Sequence, residues 1–292
     1  MNFEEKIVIE NVDFRIYKNV ESQTCNIHTS ELFYTYYNSE LDLENIQYFL
    51  LFETCFDAAF AHWIYESAMF LPYYQELKQT YPKLKMLVKR NPKRKYKKLI
   101  FNAFNIVDDD IFWVDNIDKF SSTIVYENIP INNVCINCPN PYMNTLPIKN
   151  YDFSKKLIIN FKDKLLNNLD IEYPLEKSIE NLFLPRSKNG ENYQPNERQI
   201  NYSQVYNLLK AKEYKEYDTV NTENFKDQIE LLLSSKNIFI DWGSSLLVNL
   251  LFCTNSSIYV SGVIQSQIDA GYAPYPILCE INNNNSIHFL SH

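Results

Sequence analysis

The sequence has 292 residues, which is enough for one large domain or for two domains of about 150 residues each. Its net charge of −8 argues against a nucleic-acid-binding surface, and its 46% of hydrophobic residues excludes an intrinsically disordered chain. No run approaches the ~18 apolar residues of a membrane span, and the charged amino terminus lacks the apolar core of a signal peptide. We therefore expect a soluble, cytoplasmic protein without an integral membrane segment.

The first half of the chain alternates between strand-like and helix-like segments. Short β-like runs, KIVIENV and FRIY, come first, and residues 56–79 then place apolar side chains at helical spacing, with a kink or break at Pro72. The runs KLKMLVK, DIFWVD and STIVYEN predict strands, and YKKLIFNAFNI predicts a helix. This alternation favours an α/β domain with a parallel sheet.

Residues 130–152 are rich in Pro and Asn without a sustained period, which predicts a linker. After the helix SKKLIINFKDKLLNNL, a β-α-β-α-β-α-β series runs from NLFLPRS to SSIYVSG and is typical of a doubly wound sheet. We therefore predict domains at 1–150 and 151–292, with a cleft between them. The last ~20 residues are expected to pack back on the first domain.

Two minor signals leave alternatives open. Cys135 and Cys138 have zinc-knuckle spacing, but no second pair with that spacing follows, so we expect neither a metal site nor redox chemistry. The basic run from Lys89 to Lys98 is either a solvated surface segment or a patch that faces an anionic membrane or ligand.

The segment FAHWIYESAMFLPYY contains His62, one of only four histidines. Helical spacing would place His62 and Glu66 on one face, where a carboxylate can hold the imidazole tautomer and raise its basicity. Such a pair suits a general base or a donor to a leaving phosphate. A histidine beside Trp63 on an apolar helix can equally be a hydrogen-bonded core residue.

Two strand ends in the second half carry residues that suit phosphate binding. Arg186 and Lys188 directly follow LFLP, so a guanidinium there could bind a diphosphate at the edge of the sheet. In IFIDWGSSLLVN the strand ends at Asp241, Gly243 permits a close approach, and Ser244 begins a helix whose free N–H groups suit an anion. An ordinary turn with a capping serine would give the same pattern.

These segments, in this order, resemble the family 61 glycosyltransferases. The resemblance spans roughly residues 55–260 and rests on AFAHWIYESAMFLPYYQELKQTYPKLKMLV, LFLPRS, ERQINYSQV and FKDQIELLLSSKNIFIDWGSSLLVNLLFC. It implies a GT-B fold, in which two Rossmann-like domains enclose a cleft. It also implies inverting sugar transfer from a nucleotide sugar, without a metal or another cofactor, with the donor on the second domain and the acceptor on the first.

Carried over by residue, the resemblance implies that His62 and Glu66 face the cleft from the acceptor side. Arg198 is a second anion contact or a charge at a helix start. The sequence departs from the family pattern at two places. It has DWGSS where the family has a loop Pro-His-Gly-Ala-Gly, and it has Ser261 and Gly262 where the family has a glutamate. The predicted donor-binding residues are Arg186, Lys188, Trp242, Gly243, Ser244, Ser245 and Asn249. Of these, Arg186 would bind the diphosphate.

The leading interpretation is a glycosyltransferase that moves a sugar from a UDP-linked donor to a glycan or protein acceptor. Glu66 or Asp241 would be the base, and His62 a positioning or phosphate-contacting group. The alternative interpretations are a catalytically silent glycan- or nucleotide-binding protein on the same scaffold, or an unrelated α/β interaction protein. The sequence leaves the sugar, the acceptor and the oligomeric state open.

Overall fold

The computed structural model describes residues 3–9, 12–18, 24–26, 48–51, 60–66, 68–89, 95–114, 123–125, 134–137, 151–185, 202–217, 225–241, 244–263, 274–283 and 286–291. The strands are β1 (Phe3–Ile9), β2 (Val12–Lys18), β3 (Thr24–Asn26), β4 (Tyr48–Leu51), β5 (Leu84–Lys89), β6 (Ile111–Val114), β7 (Thr123–Val125), β8 (Val134–Asn137), β9 (Ile179–Leu184), β10 (Lys215–Glu216), β11 (Ser235–Asp241), β12 (Ser257–Val263) and β13 (Ser286–Ser291). The α-helices are α1 (Phe60–Glu66), α2 (Leu71–Thr80), α3 (Lys95–Ala103), α4 (Tyr151–Asn168), α5 (Tyr202–Ala211), α6 (Phe225–Leu233), α7 (Ser244–Leu250) and α8 (Pro274–Ile281).

The chain divides into two units, and each contains one of the two larger sheets. Unit 1 comprises Met1–Tyr142 and Asp152–Lys164, and unit 2 comprises Met143–Tyr151 and Leu165–His292. The division falls within α4. The domains proposed at 1–150 and 151–292 stay predictions, as does the packing of the last ~20 residues on the first domain.

The sheet of unit 1 has six strands in the order β1-β2-β8-β4-β5-β6. The strands β8, β4, β5 and β6 are parallel, as the alternating pattern predicted, whereas β1 and β2 form an antiparallel hairpin at one edge. The run STIVYEN does not join this sheet, because β7 pairs with β3 in a separate two-stranded ribbon.

The linker prediction for residues 130–152 is wrong at β8. The four residues VCIN form a strand that pairs on one side with β2 and on the other with β4. A strand this short, between Asn- and Pro-rich segments, is stabilised by partners that lie far away in the sequence, so its local composition does not reveal it.

The predicted break at Pro72 is confirmed. The apolar segment forms α1, a 3-10 turn at Ala68–Phe70 and then α2, in which Pro72 lies in the first turn. Proline suits that position because the first N–H groups of a helix have no partner within the helix. Trp63 of α1 packs against α3. The centroid of its ring lies 5.6 Å from the ring centroids of Tyr96 and Phe101.

Unit 2 contains a parallel sheet of five strands in the order β10-β9-β11-β12-β13. The alternation of strands with α5, α6, α7 and α8 confirms the α/β class predicted for this half. Of the strand predicted at YKEYDTV, the structure describes residues 214–217, of which two form β10. The elements α8 and β13 lie beyond the predicted series.

One face of this sheet is covered by α5. In-register residues of parallel strands share a face, and the register aligns Phe183, Phe239 and Tyr259. Phe183 and Phe239 form a buried cluster with Leu209 of α5, against which Tyr259 packs. Residues two positions further along β11 and β12 therefore lie on the same face, towards the carboxyl edge of the sheet.

The amino-terminal edge of the same sheet is held by the half-buried side chain of Lys177. Its ammonium group donates hydrogen bonds to Leu233 O at 2.7 Å, to Ser235 O at 2.9 Å and to Ser256 Oγ at 3.1 Å. These acceptors lie at the end of α6, the start of β11 and the residue before β12. Burial lowers the pKa of the Lys177 ammonium, and the nearby Cys253 opposes that shift.

Candidate functional site

The strand order of unit 2 reverses between β9 and β11. Numbered along this unit, the five strands stand in the order 2-1-3-4-5, because β10 lies on one side of β9 and all later strands lie on the other. In doubly wound sheets the loops at such a reversal diverge to opposite faces, and ligands bind in the crevice outside the carboxyl ends of the strands. The register pairs Leu184 with Ile240, so the two bordering strands end side by side.

On the β9 side of the crevice, the described chain continues through Pro185, which is buried. Arg186 and Lys188, the predicted diphosphate ligands, follow directly in the sequence but lie outside the described residues, as does Arg198. The described residues thus stop immediately before Arg186, just past the carboxyl end of β9. The role of the Arg186 guanidinium stays a prediction.

On the β11 side, Asp241 is the last residue of the strand and only 8% exposed. It pairs in register with Ser261 of β12, and Ser261 Oγ donates a hydrogen bond to Asp241 Oδ1. A buried carboxylate requires such donors, because the loss of hydration otherwise strongly disfavours its charge. Both residues lie two positions beyond the aligned aromatic residues Phe239 and Tyr259, so they lie on the face that α5 covers.

The segment after Asp241 was predicted to bind the donor. Trp242 and Gly243 lie outside the described residues, and α7 begins at Ser244, as predicted. The backbone of Ser244 and Ser245 is described, but their side chains are not. Since α7 has only seven residues, we base no anion site on its dipole.

Asn249, predicted to shape the donor loop, is only 2% exposed within α7. Its Oδ1 accepts a hydrogen bond of 2.7 Å from Gln228 Nε2 of α6. This contact joins two neighbouring helices of unit 2 and gives the amide a structural role. A contact of Asn249 with a donor stays a prediction.

In unit 1, the backbone places His62 and Glu66 in α1 with the predicted four-residue spacing, and their side chains lie outside the description. Their neighbour Trp63 is fully buried, and Lys97 Nζ lies 5.4 Å from the centroid of its ring. The helix is therefore anchored in the core of unit 1. The assignment of His62 and Glu66 to a cleft, or of His62 to the core, stays a prediction.

The sequence indicated Ser261 only as a departure from a family pattern and did not predict its contact with Asp241. The alternation of β12 would place Ser261 on the face of Tyr259, but the register that sets it opposite Asp241 is not encoded locally.

The described part of the chain contains no group of three or more His, Cys, Asp or Glu residues arranged to hold a metal ion. Of the Cys-x-x-Cys pair, Cys135 lies in β8 and Cys138 outside the description. A search of the same residues for a helix that could cross a membrane finds none that is both long and apolar enough.

The fold defines a mixed α/β protein whose five-stranded parallel sheet reverses its strand order between β9 and β11, the kind of position at which doubly wound sheets bind ligands. A scan of the sequence against protein-family models finds no match, and a search of curated proteins finds none either. The resemblance to family 61 glycosyltransferases therefore stays a prediction.

Proposed function

We propose that this protein is a glycosyltransferase of GT-B architecture that transfers a sugar from a UDP-linked donor to a glycan or protein acceptor. The observation that carries the proposal is the reversal of strand order between β9 and β11. Nucleotide ligands of doubly wound sheets bind at such a reversal. The sequence supplies Arg186 and Lys188 directly after one bordering strand and DWGSS at the end of the other.

The proposed reaction inverts the anomeric carbon. The acceptor hydroxyl oxygen attacks that carbon, its proton passes to Glu66 or Asp241, and the bond to the phosphate oxygen breaks as the nucleoside diphosphate leaves with the electron pair. Arg186 would stabilise the charge that develops on the diphosphate, and His62 would position the acceptor or contact the phosphate. No metal or other cofactor is part of this scheme.

A second candidate function is a catalytically silent protein that binds a glycan or a nucleotide on the same scaffold. The specific observation in its favour is the loop DWGSS, which lacks the histidine of the family pattern. The buried Asp241 at that position would also repel a phosphate placed beside it. Binding without turnover would distinguish this function from the first.

The test is a panel of UDP-, GDP- and ADP-sugars screened by thermal shift, followed by an assay for release of free sugar. We expect saturable stabilisation by a UDP-sugar and slow hydrolysis of that donor. Stabilisation without any release, even with added glycan acceptors, would favour the silent protein. If no nucleotide sugar raises the melting temperature, the glycosyltransferase and the nucleotide-binding form of the silent protein are both wrong.

Two variants examine the assigned roles. Arg186→Ala should weaken donor binding by about ten- to a hundredfold, the value of a charge-assisted hydrogen bond, whereas the matched Arg198→Ala should bind normally if Arg198 is only a helix-start charge. His62→Ala should preserve donor binding but reduce turnover by about a hundredfold or more, and His288→Ala serves as its control. An unfolded His62→Ala protein would instead identify His62 as a core residue.

A further inference from the structure

Three oxygen atoms converge on the Lys177 ammonium group at the amino-terminal edge of the sheet in unit 2. They are Leu233 O at 2.7 Å, Ser235 O at 2.9 Å and Ser256 Oγ at 3.1 Å from Lys177 Nζ. A lysine ammonium group has three N–H donors, and all three distances lie in the ordinary range of N–H···O hydrogen bonds. The acceptors thus match the donors of a primary ammonium ion one to one. These three oxygen atoms form what we call the ammonium site.

The oxygen atoms of the ammonium site are held in place by the fold. Leu233 is the last residue of α6, Ser235 is the first residue of β11, and Ser256 directly precedes β12. Ser235 is 0% exposed and Ser256 is 4% exposed, and Ser256 Oγ also donates a hydrogen bond of 2.8 Å to Ser235 O. Leu233 O attracts a cation further, because the carbonyl groups at the carboxyl end of a helix carry partial negative charge. The site should therefore persist when the lysine side chain is removed.

We infer that the ammonium site is a binding site for primary ammonium ions, and that the chain fills it with its own Lys177. The covalent tether raises the effective concentration of the ammonium group but supplies none of the three hydrogen bonds. Because the Lys177 side chain is only half-buried, a free ion can enter along the path that its stem vacates in a variant. The inference goes beyond the proposed function and is independent of it, since Ser235 and Asp241 lie at opposite ends of β11.

The test is chemical rescue of Lys177→Ala in the full chain. This substitution removes Nζ and the three methylene groups before it, which are together the heavy atoms of n-propylammonium. We expect the variant to melt at a lower temperature than the wild-type protein, and propylammonium chloride to raise its melting temperature saturably. At ten times its dissociation constant, the ion should raise the folding equilibrium constant about tenfold. Tetramethylammonium has no N–H donor and should not rescue the variant.

Two controls separate the ammonium site from general effects of the salts. The wild-type protein already has Lys177 in the site, and Lys236→Ala removes an exposed lysine whose Nζ lies 2.6 Å from Glu180 Oε2. Propylammonium should stabilise neither protein more than tetramethylammonium does at the same ionic strength. Lys177→Arg keeps the positive charge but holds its donors in a planar fork, so it should stay less stable than the wild-type protein.

Several results would overturn the inference. A destabilised Lys177→Ala protein that does not respond to propylammonium would show that the hydrogen bonds require the covalent tether. Equal rescue by tetramethylammonium, or full stability of Lys177→Arg, would show that positive charge alone suffices, and undiminished stability of Lys177→Ala would show that the site need not be filled. If Lys177→Ala does not fold by itself, far-UV circular dichroism decides: folding on addition of propylammonium supports the inference, and persistent unfolding refutes it.

Discussion

Replacement of Lys177 by methionine tests how the amino-terminal edge of the sheet in unit 2 is stabilised. Methionine retains an unbranched apolar stem but removes the ammonium group, and with it the hydrogen bonds to Leu233 O, Ser235 O and Ser256 Oγ. Ser256 Oγ remains 2.8 Å from Ser235 O and can still donate to it. The loss is therefore concentrated at Leu233 O, at the end of α6.

The expected magnitude follows from these contacts. Hydrogen bonds from a charged donor contribute about 1.5–3 kcal/mol each, but two of the three acceptors keep a bond to one another, and the variant no longer desolvates a charge. We expect the free energy of unfolding to fall by about 2 kcal/mol, which corresponds to about 4–8 °C in melting temperature for a unit of this size.

Urea denaturation followed by far-UV circular dichroism measures this change, with an unchanged m-value as the sign that the unfolded state is unaltered. The matched control is Lys236→Met, which removes an exposed ion pair of 2.6 Å with Glu180 and should change stability by about 0.5 kcal/mol or less. If Lys177→Met is no less stable than Lys236→Met, the hydrogen bonds of Lys177 do not stabilise the fold.

Three further predictions concern stability. Because burial lowers the pKa of Lys177 in the folded protein, the unfolded chain binds more protons between that lowered pKa and the ordinary lysine value of 10.5. The free energy of unfolding should therefore rise with pH in this window, and urea denaturation of Lys177→Met should lack this rise. Asn282 is 0% exposed and donates a hydrogen bond of 2.7 Å to Leu250 O. Asn282→Ala should therefore lower the free energy of unfolding, measured by urea denaturation, by about 1–3 kcal/mol. Asn167 is exposed, and Asn167→Ala should lower it far less. Trp63→Ala should lower the free energy of unfolding by about 3–5 kcal/mol because it leaves a cavity at a fully buried position, and Trp63→Phe should lower it much less.

The elements of unit 2 were predictable because their signals are local. The strands β9 and β11 each contain a run of three buried apolar residues, LFL and IFI, and α5 and α6 have apolar residues at helical spacing, so each element is specified by its own residues. The same local signals found the break at Pro72. What the pattern cannot contain is which strand pairs with which, since that depends on residues far apart in the sequence.

The features that the sequence did not predict depend on contacts between residues that are far apart in the chain. The strand β8 is four residues long and lies between two distant strands, so its composition resembled a linker. The contact between Ser261 and Asp241 depends on a register between two strands. The hydrogen bonds of Lys177 reach acceptors that lie as many as 79 positions away in the chain. In each case the stabilising partner is non-local.

The reversal of strand order explains why both proposed functions place their ligand at one edge of the sheet. The strand that follows β9 in the chain, β10, lies on one side of β9, and the next strand, β11, lies on the other side. The later strands β12 and β13 continue in the same direction, so the described sheet has a single reversal. Of the two bordering strands, β9 ends in an apolar residue and β11 ends in Asp241, so Asp241 is the charged residue among the described ends of these two strands.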